Sequence, residues 1–321
     1  MKYKPILVVA GEPNSIFLEI FFKSIFKLKN KHPLILIASV KLIKLQMRKL
    51  KINKKIKVLE YKNLFNYKLT NNSIYILNVN YETNFAFENI SSKSNKYIKN
   101  CFKLAFEILK KSKINKLING PIVKKTFLKK KYPGITEYIS DAFGVKKSAM
   151  LIYNDELSVC PLTTHVPLKS VAKKINKKII FEKVKLINSF YKKKFNKIPN
   201  IAILGLNPHC ESIAKFSEDE KIIKPTVQSL KKLDFKVSGP FSADTIFMKQ
   251  NRKKFDVIIG MYHDQVLAPF KSIFKFDAIN LTLGLKYLRV SPDHGIASDI
   301  IGKNKANPKS LMECINFLNK I

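Results

Sequence analysis

The chain has 321 residues, of which 46% are hydrophobic, enough to bury the core of a globular protein with two lobes. It contains 60 Lys and Arg residues against 23 Asp and Glu, which gives a formal net charge of +37. Such a charge is typical of nucleic-acid binding, but only Arg48, Arg252 and Arg289 are arginine, the residue that base recognition favours. We therefore interpret the lysines as solvated surface and expect no specific nucleic-acid partner.

Short apolar runs alternate along the chain with longer stretches of helical period, a pattern that predicts an α/β fold with a largely parallel sheet. In chain order, the predicted strands are Ile6–Ala10, Leu34–Ala38, Ile74–Asn78, Lys116–Ile118, Leu157–Leu162, Ile201–Gly205, Lys236–Ser238, Val257–Met261 and Ala278–Leu281. The predicted helices are Ser15–Leu28, Lys96–Ser112, Ile175–Lys193, Ile222–Leu233 and Pro308–Asn319. Turn residues follow strands at 11–13, 119–121, 207–209 and 239–240, and we expect these loops to converge on one rim.

Three of the five histidines follow hydrophobic runs and lie in short polar clusters: His165 in LTTHVP, His209 in GLNPHCE and His263 in MYHDQ. Strand carboxyl ends are where α/β folds collect their reactive groups, so the three histidines predict one metal or catalytic site. Three imidazoles with an open fourth position form a typical catalytic metal centre. The alternative is three unrelated core or surface histidines.

Two carboxylates accompany these histidines. Asp264 is adjacent to His263, and Asp244 lies in GPFSADTIF. Each is a candidate to orient a metal ligand or to act as a further ligand. The alternative for an aspartate that follows a strand is a helix cap.

A cation, an amide and a guanidinium follow MYHDQ at intervals of nine residues: Lys271, Asn280 and Arg289. These groups suit a small substrate that carries carboxylate and phosphate. Arg289 is the most informative of the three because arginine is scarce in this chain.

Several kinds of site are not supported by the sequence. The stretch GEPNS after the first strand is no GxGxxG fingerprint, and GxxxxGK[ST] is absent, so neither an ordinary Rossmann site nor a P-loop is predicted. The four cysteines form no CxxC pair and are expected to be reduced thiols. No apolar run reaches the roughly 18 residues that span a bilayer, and the opening MKYKPILVVAGEP turns too early for a signal peptide, so we expect a cytoplasmic protein.

Taken in order, these motifs resemble the 4-hydroxythreonine-4-phosphate dehydrogenase family, whose members take part in pyridoxal phosphate synthesis. The resemblance is carried by GEPNSIFLEI, NGPIVKK, YPGITEYIS, TTHVPL, LGLNPH, GPFSADTIF, MYHDQVLAPFK and INLTLGLKYLRVSPDHGIASDI, and covers nearly the whole chain. It implies that the metal ligands are His165, His209 and His263. It also implies that the substrate is contacted by Thr136, Lys271, Asn280 and Arg289.

The resemblance further implies a two-lobed fold related to isocitrate and isopropylmalate dehydrogenases, with a cleft between the lobes. We place the first lobe at 1–125 plus 291–321 and the second at 126–290. The implied protein is a homodimer in which the partner completes each site. It requires a divalent metal (Zn, Mg or Co) and NAD or NADP. The residues that bind the dinucleotide are not identified by the sequence motifs.

The implied reaction is oxidation of 4-phosphohydroxy-L-threonine followed by decarboxylation to 3-amino-2-oxopropyl phosphate. Lys271, or Asp244 through water, is the candidate base. Two departures from the family pattern concern loops near ligands: Ile135 replaces the usual histidine before Thr136, and Cys210–Ala214 replaces the glycines that usually follow NPH.

Two alternatives remain from the sequence. One is a related dehydrogenase that acts on a four-carbon sugar-acid phosphate, which would accommodate Ile135. The other, of a different class, is a non-catalytic metal-binding or nucleic-acid-binding protein on the same scaffold.

Overall fold

The computed structural model describes residues 4–28, 32–70, 73–128, 131–211 and 216–321. The chain divides into two compact units, one made of Met1–Tyr138 with Lys286–Ile321 and the other of Ile139–Leu285. Part of the Cys210–Ala214 loop, residues 212–214, lies outside the described residues. No helix among the described residues is both long and apolar enough to cross a bilayer.

The regular elements follow the alternating pattern of the sequence. The strands are β1 (Ile6–Val9), β2 (Leu34–Ala38), β3 (Ile56–Leu59), β4 (Ile74–Asn78), β5 (Lys116–Asn119), β6 (Ala149–Tyr153), β7 (Ser158–Thr163), β8 (Ile201–Leu204), β9 (Val237–Phe241), β10 (Val257–Tyr262), β11 (Ile279–Leu283) and β12 (Leu288–Pro292). The α-helices are α1 (Phe17–Lys27), α2 (Val40–Lys49), α3 (Asn95–Lys111), α4 (Ile135–Ala142), α5 (Val171–Lys174), α6 (Lys177–Phe195), α7 (Lys224–Lys231), α8 (Ala243–Ile246), α9 (Lys249–Arg252), α10 (His263–Phe274) and α11 (Lys309–Lys320).

The strands of the first unit lie in the order β3-β4-β2-β1-β5-β12, and each pair of neighbours is parallel. The central strands β1 and β2 read ILVV and LILIA, and all their residues are buried. Continuous apolar runs of this kind suit parallel strands, whose two faces are both covered. The helix α3 presents its own apolar residues to β1 and β2.

The second unit has the order β11-β6-β7-β10-β8-β9. The strands β7, β10, β8 and β9 are parallel, whereas β6 runs antiparallel to β7 and β11. Residues 154–157 connect β6 to β7, a connection long enough only for an antiparallel pair. The core lies between these strands and α10, where Phe270 and Val266 are completely buried.

Among the differences from the prediction, two have local reasons. Residues 239–240 were expected in a loop, but Gly239 and Pro240 lie inside β9. β9 stands at the end of the strand order, and its register with β8 shifts between Ala202 and Leu204. Proline is tolerated there because an edge strand with an irregular ladder does not need every backbone N–H. The helix α10 was not predicted because it begins directly at the end of β10, with no turn residue between them.

Candidate functional site

The three histidines singled out in the sequence follow three neighbouring parallel strands of the second unit, β7, β10 and β8. His165 lies two residues beyond the end of β7, His263 directly follows β10, and His209 comes five residues after the end of β8. Neighbouring strands are about 4.8 Å apart, and the carboxyl ends of parallel strands share one edge of the sheet. The topology therefore brings all three histidine-bearing segments to the same edge.

Two of these histidines have a left-handed backbone. The φ angle is 49° at His165 and 55° at His209, and Cys210 follows with 62°. Such angles are uncommon outside glycine, and they persist only where the surrounding structure holds them. Both histidines are exposed. A strained backbone that presents an exposed imidazole at a sheet edge points to a binding role for these side chains.

The rings of His165 and His263 lie together, with their centroids 6.0 Å apart. His263 is the first residue of α10, and its Nδ1 lies 2.6 Å from Oδ1 of Asp264. A carboxylate at one ring nitrogen fixes the orientation of the imidazole and directs the other nitrogen, Nε2, toward a ligand. Asp264 thus makes the contact with His263 that the predicted orienting role requires, and the role itself stays a prediction.

His209 lies near Asp244, the first-turn aspartate of α8. A hydrogen bond from Ser242 Oγ, 2.6 Å long, lowers the pKa of the Asp244 carboxyl, and the nearby His209 lowers it further. Asp244 is therefore ionised at neutral pH and lies on an exposed surface, where it is available as a base or as an acceptor for His209.

The donor set of these residues fits a divalent metal. With metal–nitrogen bonds of about 2.0–2.1 Å, the ring centres of two imidazoles on one ion lie at most about 6.5 Å apart, so the spacing of His165 and His263 is compatible with a shared ion. Within the described part of the chain, no three His, Cys, Asp or Glu side chains are close enough together to hold an ion. The three-histidine site consequently stays a prediction, supported by the strand topology and the pair of rings.

A buried carboxylate that the sequence analysis did not single out holds the loop of His209. Asp219 is completely buried, and its oxygens accept hydrogen bonds from Leu206 N (2.7 Å), Asn207 N (3.1 Å) and Asn207 Nδ2 (2.7 Å). Three bonds to one carboxylate fix the two residues that begin this loop. The sequence offered no signal for Asp219, because it lies ten residues after His209 in an ordinary acidic stretch, FSEDE.

The two substrate candidates of the second unit have different environments. Lys271 lies in the last turn of α10 with an exposed side chain. Asn280 lies in the middle of β11, and its buried Oδ1 has no hydrogen-bond partner among the described residues. A buried amide oxygen left without a partner costs free energy, which favours a role in contacting a ligand.

Both substrate candidates of the first unit are buried. Thr136 lies in the first turn of α4 with 7% of its surface exposed, and Arg289 lies on β12 with 1% exposed. Nε of Arg289 donates to Oδ1 of Asn119, the last residue of β5, over 2.7 Å. Burial lowers the pKa of Arg289 to about 10, so the guanidinium remains protonated at neutral pH. Arg289 is therefore a fixed, buried cation rather than a mobile surface charge.

Comparison with known proteins agrees with the motifs. Residues 29–318 match the model of the family described as pyridoxal phosphate biosynthetic protein PdxA. The chain is 35% identical over 319 residues to 4-hydroxythreonine-4-phosphate dehydrogenase of Sulfurihydrogenibium sp., covering 97% of this chain and 96% of the relative. It is 41% identical over 191 residues, 59% of each chain, to the enzyme of the same name from Aquifex aeolicus.

A solved structure confirms the α/β fold. The crystal structure of 4-hydroxythreonine-4-phosphate dehydrogenase from Klebsiella pneumoniae superposes with a TM-score of 0.84 at 24% identity, covering 98% of this chain and 96% of that one. The resemblance predicted from the motifs is confirmed by the family match and the curated relative. The chain belongs to the PdxA family of pyridoxal phosphate biosynthetic proteins.

Proposed function

We propose that this chain is an NAD(P)-dependent, metal-requiring dehydrogenase that oxidises 4-phosphohydroxy-L-threonine and yields 3-amino-2-oxopropyl phosphate and carbon dioxide. The family and the name of its full-length relative support the reaction class. The observation in the structure that carries the proposal is the placement of His165, His209 and His263 after three neighbouring parallel strands.

In this proposal the three histidines hold one divalent ion, Zn, Mg or Co. When bound, such an ion polarises substrate oxygens and lowers the pKa of a coordinated alcohol. NAD(P) supplies the acceptor for the hydride. Asp264 holds the ring of His263 through the 2.6 Å contact with Nδ1, so that Nε2 is the nitrogen directed to the ion. The assembly proposed for the active protein is a homodimer.

The chain's own residues account for the proton and for substrate binding. The hydroxyl proton of the substrate would pass to Lys271, or to Asp244 through water, while the hydride of the alcohol carbon would go to bound NAD(P)⁺. The resulting β-keto acid loses its carboxyl group as carbon dioxide, the electron pair of the broken C–C bond passes to the enolate, and the α-carbon then takes up a proton from water or from the group that accepted the hydroxyl proton. Arg289 supplies a fixed positive charge and Thr136 a hydroxyl for the anionic groups of the substrate, while the side chain of Asn280 offers both amide donors and an unpartnered oxygen.

The direct test is reduction of NAD⁺ and NADP⁺ by the purified protein with 4-phosphohydroxy-L-threonine, measured by absorbance, with each candidate metal added in turn. We expect turnover that a chelator abolishes and that added metal restores. Circular dichroism of the chelated protein should show an intact fold, because the described core contains no metal ligand. Absence of turnover with every metal and both dinucleotides would contradict the proposal.

A second substrate class, a four-carbon sugar-acid phosphate, is favoured by one observation. Ile135, the first residue of α4, is apolar at the position before Thr136 where the resemblance implies a histidine. We expect Ile135→His to lower KM for 4-phosphohydroxy-L-threonine if that is the true substrate, since a hydrogen bond to a charged group is worth about 1.5–3 kcal/mol. A wild-type preference for the sugar acid that Ile135→His reverses would establish the second class.

A further inference from the structure

Met261 lies two residues before His263, and both of its backbone polar groups are bonded to side chains. Its N–H donates to Oε1 of Gln265 over 2.6 Å, and its carbonyl accepts from Oγ1 of Thr163 over 2.8 Å. Side chains thus bind the end of β10 from two directions.

Thr163 connects the backbone of Met261 to the strand that precedes His165. It is the last residue of β7, lies two residues before His165, and has only 5% of its surface exposed. Because β7 and β10 are parallel neighbours, the hydroxyl of Thr163 adds a side-chain bond at the edge where the two histidines emerge. It fixes the end of β7 against the end of β10.

Gln265 connects the backbone of Met261 to the strand that precedes His209. While its Oε1 accepts from Met261, its Nε2 donates to the carbonyl of Gly205 over 2.8 Å. Gly205 directly follows β8 and lies four residues before His209. A single amide therefore uses both ends to join the ends of β10 and β8.

Gly260 provides the space that this arrangement needs. A Cβ at residue 260 would lie 2.9 Å from Oε1 of Gln265 and 2.4 Å from Cγ1 of Val266. Any other residue would displace the amide or the first turn of α10. Glycine at position 260 therefore leaves room for the amide of Gln265.

We propose that Gln265 and Thr163 are positioning residues that set the spacing of His165, His209 and His263. The inference rests on the proposed metal site and adds the residues that hold its ligands in place. The two side chains join the three strand ends through the backbone of Met261 and add to the backbone ladders between these strands, so removal of either side chain's bonds loosens one histidine-bearing end relative to the other two. Groups that orient metal ligands typically contribute about 10- to 100-fold to metal affinity.

The test uses Co²⁺ as the probe, since its visible absorption reports the number and geometry of ligands. Gln265→Met keeps a side chain of similar length and loses both hydrogen bonds, and Thr163→Val keeps the shape and loses only the hydroxyl. We expect each variant to bind Co²⁺ about 10- to 100-fold more weakly than wild type, with an altered absorption spectrum. Thr163→Ser, which retains the hydroxyl, should restore both affinity and spectrum.

Gln46 offers a matched control in the first unit. It is a buried glutamine whose Nε2 donates to the carbonyls of Pro13 (3.0 Å) and Ala86 (2.9 Å). Gln46→Met removes comparable hydrogen bonds and should lower stability, but we expect it to leave Co²⁺ affinity and the spectrum unchanged. An equal loss in Gln46→Met and Gln265→Met would overturn the proposal.

A readout on the metal-free protein completes the design. Amide hydrogen exchange of residues 201–206 and 257–263 should be faster in Gln265→Met than in wild type, because the bonds that join these segments are lost. If wild type binds no Co²⁺, or if the single histidine-to-alanine variants still bind it, the metal site itself is wrong. If wild type and the histidine variants behave as proposed while Gln265→Met and Thr163→Val bind like wild type, only the positioning role is overturned.

Discussion

The polar residues that follow β1 in the first unit are buried, whereas the histidines that follow β7 and β8 in the second unit are exposed. In the first unit, Glu12 and Asn14 follow β1 and are 1% and 2% exposed. Glu12 accepts from Ser94 Oγ (2.9 Å) and from Asn14 N (3.2 Å), and Asn14 Oδ1 accepts from Glu88 N (2.8 Å). In the second unit, His165 and His209 are exposed on a left-handed backbone.

The difference shows what each sheet edge is suited to do. Polar groups that bond to one another in the first unit satisfy their own hydrogen-bonding capacity, and they contribute to a rigid, buried network. In the second unit the hydrogen bonds of Thr163 and Gln265, and two of those of Asp219, involve backbone groups, while the side chains of His165 and His209 are exposed. The first edge is stabilised by its own hydrogen bonds, and the exposed side chains of the second edge suit the ligand that we propose there.

The largest expected effect is the loss of metal when a histidine of the second unit is removed. His165→Ala, His209→Ala and His263→Ala should each lower metal affinity and turnover by more than about 100-fold, with little change in the free energy of unfolding of the metal-free protein. Metal content of the purified variants measures this. His32→Ala is the control in the first unit: its ring nitrogens lie 2.6 Å from Lys4 O and 3.1 Å from Lys116 Nζ, so metal content should be retained. Full occupancy in all three single variants would refute the site.

A smaller effect is expected at the buried cation of the first unit. Arg289→Lys keeps the charge but loses the planar guanidinium that donates to Asn119. A hydrogen bond to a charged group is worth about 1.5–3 kcal/mol, which corresponds to about 10- to 150-fold in kcat/KM if the same group binds the substrate. Asn119→Ala keeps the guanidinium and should reduce stability more than activity. Unchanged kcat/KM in Arg289→Lys would remove Arg289 from the proposed substrate site.

The network of the first unit predicts a pH dependence of stability with two opposite signs. Burial raises the pKa of Glu12, so the stability that Glu12 contributes is present below its unfolded pKa and is lost as pH rises through the folded pKa. Relative to wild type, Glu12→Gln should gain unfolding free energy as pH rises from about 4, near the unfolded pKa of glutamate, through the raised folded pKa of Glu12. Urea unfolding across this range measures the difference.

Glu88 provides the matched comparison. The hydrogen bond from Lys93 and that from Thr83 lower the pKa of Glu88, so its contribution is present above the unfolded pKa and is lost as pH falls through the folded pKa. Glu88→Gln should therefore cost no more than about 1 kcal/mol at neutral pH and less in acid. The same sign of pH dependence in both variants would contradict the described environments.

The smallest expected effect concerns thiol reactivity. Cys101, Cys160 and Cys314 are buried, and burial raises the pKa of Cys101 to about 12 and that of Cys160 to about 11. Cys210 follows His209 and is half-exposed; partial burial and the nearby Asp219 raise its pKa too, so its exposure is what distinguishes it from the other three thiols. We expect a thiol reagent to modify one cysteine quickly in the folded protein, and Cys210→Ser to remove that fast phase. A fast phase that survives in Cys210→Ser would place the accessible thiol elsewhere.

Much of the fold could be predicted because parallel strands are buried on both faces and are therefore visible in the sequence as continuous apolar runs. The runs ILVV and LILIA predicted β1 and β2 at nearly their observed bounds, since a strand covered on both faces must be apolar throughout. Three strands were missed for identifiable reasons. β3 reads IKVL and is largely exposed, β6 forms the antiparallel partner of β7, and β12 carries the polar residues Arg289 and Ser291.

For the candidate site, the sequence by itself determined which residues are candidates. Scarce histidines after apolar runs and a scarce arginine could be identified because their chemistry is rare in a chain rich in lysine. Only the tertiary structure decided that β7, β10 and β8 are neighbours, that Arg289 is bonded to Asn119, and that Gln265 joins Met261 to Gly205. These relations join residues up to 170 positions apart, and such contacts arise from packing that no local pattern specifies.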